Sequence, residues 1–125
     1  MISQAQFIDN GMSIWGTIDD QYLDIFLVRC NTVGTIEMPL FSKSAPAYVR
    51  DLIFAIEPID TTGGEVGYGQ YYEFSDGTAA QMLTYQVPRP GIYAIYVLSA
   101  ELYQYYNLNT DYAFYYTFKP QLSLD

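Results

Sequence analysis

The run Val87–Ser99, Val-Pro-Arg-Pro-Gly-Ile-Tyr-Ala-Ile-Tyr-Val-Leu-Ser, constrains the fold more than any other segment. Its second half consists of β-branched, aromatic and other apolar residues, a composition that is typical of strands. Pro88 and Pro90 fix φ and have no N–H to donate, so strand pairing can begin no earlier than Gly91. The pattern predicts a strand that is entered through a tight turn.

The rest of the chain shows the same alternation of apolar and polar residues between turn clusters, and no segment has sustained helical periodicity. Pro39 argues for an edge strand or a bulge at the third predicted strand, and Pro58 is expected to end the fourth. We expect one domain over residues 1–125, an all-β, two-layer antiparallel sandwich of jelly-roll-like type with minimal helix. Its strands, about eight in number, are predicted at Met12–Ile18, Tyr22–Val28, Thr35–Phe41, Asp51–Glu57, Gln70–Phe74, Thr78–Val87, Ile92–Ser99 and Asp111–Lys119.

The composition excludes several classes of function. The chain has no histidine, which removes the usual general base near neutral pH, the usual zinc ligand and every nucleophile–histidine pairing. We therefore expect no enzymatic activity. A formal net charge of −9 disfavours nucleic acid and anionic lipid as partners, and no apolar run is long enough for membrane insertion. The single cysteine, Cys30, is interpreted as a small buried hydrophobe rather than a reactive thiol.

The order of several short motifs resembles a known family. A Gly-led strand, an acidic turn and an Asp-x-Phe strand occupy residues 16–26, and a Gly-Thr-led strand follows at 34–38. An Asp-Leu strand lies at 51–56, a Gly-x-Tyr strand at 90–97 and a Tyr-rich strand at 111–116. Over Gly11–Phe118 this layout is similar to the bacterial pre-peptidase C-terminal domains, small jelly-roll-like sandwiches appended to secreted enzymes. The resemblance implies a non-catalytic accessory role in binding, secretion or targeting, and some members bind calcium.

Acidic side chains form one candidate site. Asp19, Asp20 and Asp24 surround one turn and could supply the oxygen ligands that Ca²⁺ prefers. The alternative is a solvated turn followed by one acidic strand residue. No cofactor is required, and Ca²⁺ is the one that this cluster could hold. A second oxygen-rich group, built from Glu57, Asp60 and Glu65, brackets a Gly-rich loop.

Tyrosine clusters form another candidate site. Exposed aromatic rings beside amide groups can stack on sugar rings, and the same tyrosines can instead face the core or a protein partner. The predicted ligand-binding residues are Tyr68, Tyr71, Tyr72, Tyr103, Tyr105, Tyr106 and Asn107, with amides from Gln70, Gln104 and Asn109 nearby.

The N-terminal residues 1–10 could form an edge strand or a strand that is exchanged with a neighbouring chain. The sequence as a whole favours an extracellular or cell-surface accessory or adhesion module that binds protein or carbohydrate. The alternative is a subunit of a cell-surface filament or layer, a homo-oligomer or polymer that assembles by β-strand addition.

Overall fold

The computed structural model describes residues 5–18, 23–42, 52–59, 69–73, 80–99 and 110–121. These residues contain strands and connecting turns but no helix, and none of them forms a helix able to cross a membrane. The strands are β1 (Gln6–Phe7), β2 (Ser13–Ile18), β3 (Leu23–Cys30), β4 (Gly34–Ser42), β5 (Leu52–Ile59), β6 (Gln70–Glu73), β7 (Ala80–Val87), β8 (Gly91–Ser99), β9 (Thr110–Tyr115) and β10 (Thr117–Pro120).

Two sheets make up the sandwich. Sheet A has the strand order β1-β3-β8-β5-β6, and sheet B has the order β7-β4-β9-β2, with β10 continuing the line of β9 beside β4. The antiparallel pairs are nested along the chain: β5 pairs with β6, β4 with β7, β3 with β8, and β2 with β9. This nesting is the topology of a jelly roll, so the predicted fold class is confirmed.

The described part of the chain contains more strands than the sequence predicts, partly because of Pro39. The prediction of an edge strand or a bulge at this proline is wrong, since β4 lies between β7 and the β9–β10 line and keeps its register with both neighbours past Pro39. The registers on either side place Pro39 opposite Tyr115. Proline has no N–H to donate across this gap, and the last predicted strand divides here into β9 and β10. The other additional strand is β1.

Pro58 does not end its strand, which corrects a second expectation. Strand β5 continues through Pro58, opposite Tyr93 of β8, to Ile59. On its other side β5 pairs with β6 only over Ile53–Ile56. Beyond Ile56 the described part of β5 is therefore an edge, where a missing donor is tolerated. The entry into β8 is as predicted, because pairing begins at Gly91, opposite Cys30.

Side chains from both sheets interlock in one core. The apolar and polar alternation predicted from the sequence is confirmed in β4 and β5, where the alternate residues Ile36, Met38, Leu40, Leu52, Phe54 and Ile56 are fully buried. Phe114 of sheet B inserts between Phe26 and Phe54 of sheet A. Its ring centroid lies 5.3 Å from that of Phe26 and 6.1 Å from that of Phe54, and both contacts are edge-to-face. Cys30 is buried as predicted, and burial raises the pKa of its thiol.

The N-terminal segment lies at the edge of sheet A of its own chain. Strand β1 runs parallel to β3, with Gln6 opposite Phe26 and Phe7 opposite Leu27, and it is the one parallel pairing among the described strands. Ile8 follows directly and is buried. An exchanged strand would have to replace this contact.

Candidate functional site

The predicted calcium ligands are only partly within the described residues. Asp19 and Asp20 lie outside them, as do Asp60 and Glu65 of the second acidic group. Asp24 lies on β3, where its Oδ2 accepts a hydrogen bond of 2.6 Å from the Tyr112 hydroxyl. Among the described residues no three Asp, Glu, Cys or His side chains lie close enough together to hold a metal ion. Calcium therefore stays a prediction.

Two of the predicted tyrosines can be placed, and they are on opposite faces of β6. Tyr71 is 68% exposed, whereas its neighbour Tyr72 packs against the core. Successive strand residues point to opposite sides of a sheet, so these two rings cannot form one platform. Tyr68, Tyr103, Tyr105, Tyr106 and Asn107 lie outside the described residues.

A buried phenol joins the two sheets. Gly16 of β2 lies opposite Tyr112 of β9, and a Cβ at this glycine would overlap the phenol. Because Gly16 has no side chain, the Tyr112 ring can cross β2, and its hydroxyl donates a hydrogen bond to Asp24 of sheet A. Burial, followed by the bond to Asp24 and its charge, raises the pKa of Tyr112 well above its usual range. Asp24 thus has a structural partner inside the sandwich.

The outer face of sheet B carries an exposed apolar cluster, which we call the Trp15 patch: Trp15, Phe41, Met82 and Tyr115. They come from strands β2, β4, β7 and β9, and they are 65%, 42%, 52% and 40% exposed. The buried Ala113 lies between Trp15 and Phe41 in one cross-strand row, and Tyr115 and Met82 occupy the next row. The four side chains therefore lie next to one another.

The Trp15 patch is comparable in area to the largest apolar patch of a typical monomer. A fully exposed side chain of this kind presents about 200 Å², so the exposed fractions amount to about 400 Å². The largest apolar patch on a typical monomer is about 300–600 Å² and is often functional. A specific protein interface buries about 800 Å² on each partner, and the Trp15 patch could form the centre of one.

The outer face of sheet A is also apolar. Strands β3, β5 and β8 carry apolar residues at nearly every position, so both sides of this sheet are apolar. Arg29 and Glu57 are the charged residues among the described side chains of the outer face of sheet A. Its other members on these strands are Leu23, Ile25, Leu27, Ile53, Ala55, Ile59, Ile92, Ala94, Tyr96 and Leu98, most of them half-buried. Runs of this kind are typical of sheets that are covered on both sides.

A cleft of about 360 Å³ lies where the N-terminal segment crosses the ends of β3 and β10. Asn10 fixes its wall, because the side-chain amide donates to the Phe118 carbonyl (3.0 Å) and accepts from the Phe118 N–H (2.8 Å). The Arg29 guanidinium lies 5.2 Å from the Phe7 ring centroid on the rim. Asp9 lines the same cleft. The charges of Arg29 and Asp9 therefore balance, and the cleft selects for neither anionic nor cationic ligands.

Sequence reasoning missed the Trp15 patch because its members come from four strands that are distant in sequence. Each sits on a strand face that otherwise reads as polar or small. One signal was available: the single tryptophan of the chain alternates with Ser13 and Thr17 on the solvent side of β2. The outer face of sheet A has a plainer signal, the unbroken apolar run Ile92–Leu98.

No family model and no curated protein matches the sequence. In structure the chain is similar to the pre-peptidase C-terminal domain of a collagenase from Bacillus anthracis, with a TM-score of 0.62 and 15% identity over 93% of this chain and 95% of that chain. It is also similar to PliG of Aeromonas hydrophila, a periplasmic inhibitor of g-type lysozyme, with a TM-score of 0.54 and 10% identity over 92% of this chain and 96% of that chain.

The enzymatically active domain of tailspike protein 4 from bacteriophage CBA120 matches with a TM-score of 0.52 and 11% identity, over 90% of this chain but 18% of that chain. At these identities the likeness concerns the fold. The resemblance to pre-peptidase C-terminal domains is confirmed at that level. The chain has the fold of a small β-sandwich domain.

Proposed function

We propose that this chain is a non-catalytic accessory module, working outside the cytoplasm, that binds a protein partner through the Trp15 patch. The observation that carries the proposal is the convergence of four large, exposed side chains from four strands on one outer face. Aromatic residues and methionine are enriched at protein interfaces, and tryptophan and tyrosine often dominate their binding energy. Phe41 and Met82 offer no hydrogen bond to a sugar hydroxyl, which favours protein over carbohydrate.

Charge and fold support the same proposal. A net charge of −9 favours a basic partner, because complementary potentials speed association and suppress the wrong partners. The similar structures include a domain of a collagenase and a periplasmic inhibitor, and these support a location outside the cytoplasm. The absence of histidine from the sequence supports a role in binding rather than catalysis.

The test is equilibrium binding of the purified chain to two protein probes suggested by the similar structures, g-type lysozyme and triple-helical collagen. We expect saturable binding to one of them. The double variant Trp15→Ala/Met82→Ser should weaken that binding by at least about tenfold, because interface centres of this type contribute most of the affinity.

Tyr71→Ala is the matched control, because Tyr71 is equally exposed but lies on sheet A. It should bind like the unmodified chain. Saturable binding to neither probe would contradict the proposal. An equal loss in Tyr71→Ala and in the patch variant would contradict the assignment of the site.

A further inference from the structure

We infer that the outer face of sheet A is the contact surface between two copies of this chain. The inference goes beyond the proposed function, since it concerns the opposite sheet and a different partner. Strands β3, β8 and β5 carry apolar residues on both sides, yet none of the described strands packs against their outer side. The same face of a second copy would cover this surface without any other component.

The area of the face matches what a weak dimer needs. At about 4.8 Å between strands and about 6.8 Å between cross-strand rows, four rows on each of β3, β8 and β5 and two on the shorter β6 give a flat footprint of about 450 Å². Two copies packed face to face would then bury about 900 Å², the size of a weak, transient interface. Two sheets pack in this way at about 10 Å separation, as the two sheets of a sandwich do.

Arg29 and Glu57, the charges on this face whose side chains the structure describes, are self-complementary. Arg29 and Glu57 lie on β3 and β5, on either side of the central strand β8. A two-fold axis running along β8 places β3 of each copy above β5 of the other. Arg29 of one copy then lies above Ile59 of the other copy, one cross-strand row from Glu57 of that other copy. Both side chains are long enough to meet across the interface, and the symmetry makes the contact twice.

The net charge opposes this contact and makes it dependent on salt. Each copy carries a net charge of −9, so two copies repel each other. This repulsion opposes the attraction of the two pairs between Arg29 and Glu57. The screening length falls from about 30 Å at 0.01 M salt to about 8 Å at 0.15 M. A dimer held by apolar burial therefore strengthens as salt is added, whereas a dimer held mainly by ion pairs weakens.

Dimerisation through sheet A would leave both Trp15 patches exposed on opposite sides of the dimer. A two-fold interface of this kind closes on itself and does not propagate into a polymer. The dimer would therefore be bivalent, and a partner that presents two binding sites would be held more tightly than by one copy.

The experiment is sedimentation equilibrium of the chain from about 10 µM to about 1 mM, a range that covers weak dimers, at low and high salt. We expect a reversible monomer–dimer equilibrium with at least about fivefold tighter association at high salt. The double variant Ile25→Lys/Ile53→Lys places two charges on the face and should stay monomeric. Met82→Lys, on the outer face of sheet B, is the control and should still dimerise.

A charge exchange tests the geometry. Arg29→Glu should weaken the dimer, and Arg29→Glu/Glu57→Arg should restore it. Circular dichroism and the thermal midpoint show whether each variant is folded, and the salt dependence of the unmodified chain needs no variant. A monomer at every concentration and salt, open-ended polymers, or a dimer that is lost in Met82→Lys but kept in Ile25→Lys/Ile53→Lys would overturn the inference. The first two outcomes leave binding at the Trp15 patch untouched, whereas the third would assign the dimer contact to that patch.

Discussion

Removing the Tyr112 hydroxyl tests the packing of the two sheets most cleanly. It donates to Asp24 Oδ2 at 2.6 Å across the sandwich. Tyr112→Phe keeps the ring, which packs against Phe54 and Phe114 at centroid distances of 5.9 and 6.4 Å. The variant therefore removes one hydrogen bond without opening a cavity.

The expected loss follows from the type of bond. A hydrogen bond to a charged group contributes about 1.5–3 kcal/mol to stability. Asp24 is half-buried, so water can replace part of the bond, and we expect a loss of about 1.5–2 kcal/mol. The entropy of unfolding is about 2.1 cal/mol/K per residue, or about 0.26 kcal/mol/K for this chain. The thermal midpoint should then fall by about 6–8 °C.

Urea and thermal unfolding of Tyr112→Phe, beside Tyr115→Phe, measure this effect. Tyr115 is the control, because it lies on the same strand but faces solvent, and its variant should lie within about 0.5 kcal/mol of the unmodified chain. A double-mutant cycle with Asp24→Ala should give a coupling energy of at least about 1 kcal/mol. Equal stabilities for the two tyrosine variants, or a coupling near zero, would refute the packing described here.

Three further predictions concern stability. Gly16→Ala should cost at least about 1 kcal/mol in urea unfolding, since its Cβ would overlap the Tyr112 phenol; an unchanged midpoint would show that the ring does not cross β2. Burial raises the pKa of Tyr116 and of Cys30, so the unfolded chain releases these protons at lower pH than the folded one. The contribution of these two groups to stability should be constant below about pH 8 and fall above about pH 9–10 by about 1.4 kcal/mol per pH unit for each group still protonated in the fold. Urea unfolding at several pH values measures this fall, which Tyr116→Phe should reduce. If the predicted calcium site around Asp24 exists, millimolar Ca²⁺ should raise the thermal midpoint, and an unmoved midpoint would remove it.

The fold could be predicted largely because alternation and punctuation are local signals. The inward face of β5 is readable from Leu52, Phe54 and Ile56 alone, and Gly91 marks the start of β8 because two prolines precede it. The errors arose where neighbouring strands decide the outcome. Pro39 is tolerated in a central strand because the opposing strand breaks there, and Pro58 because β6 is short.

The candidate surfaces were harder to predict, since they depend on register. Trp15 and Phe41 come together only because Ala113 lies between them in sheet B. Counting tyrosines pointed instead to Tyr71 and Tyr72, which alternation places on opposite faces of β6. Aromatic abundance in a sequence does not say which rings share a surface, whereas strand pairing does.

Protein binding through the Trp15 patch is tested most directly with the single tryptophan of the chain. Replacing Trp15 by fluorotryptophan gives a fluorine NMR spectrum with one resonance. Unlabelled g-type lysozyme and collagen contain no fluorine and give no signal in this spectrum. We expect this resonance to shift or broaden saturably as one of these proteins is added, and Met82→Ser to weaken the response. A resonance that stays unchanged through both titrations would contradict binding through the Trp15 patch.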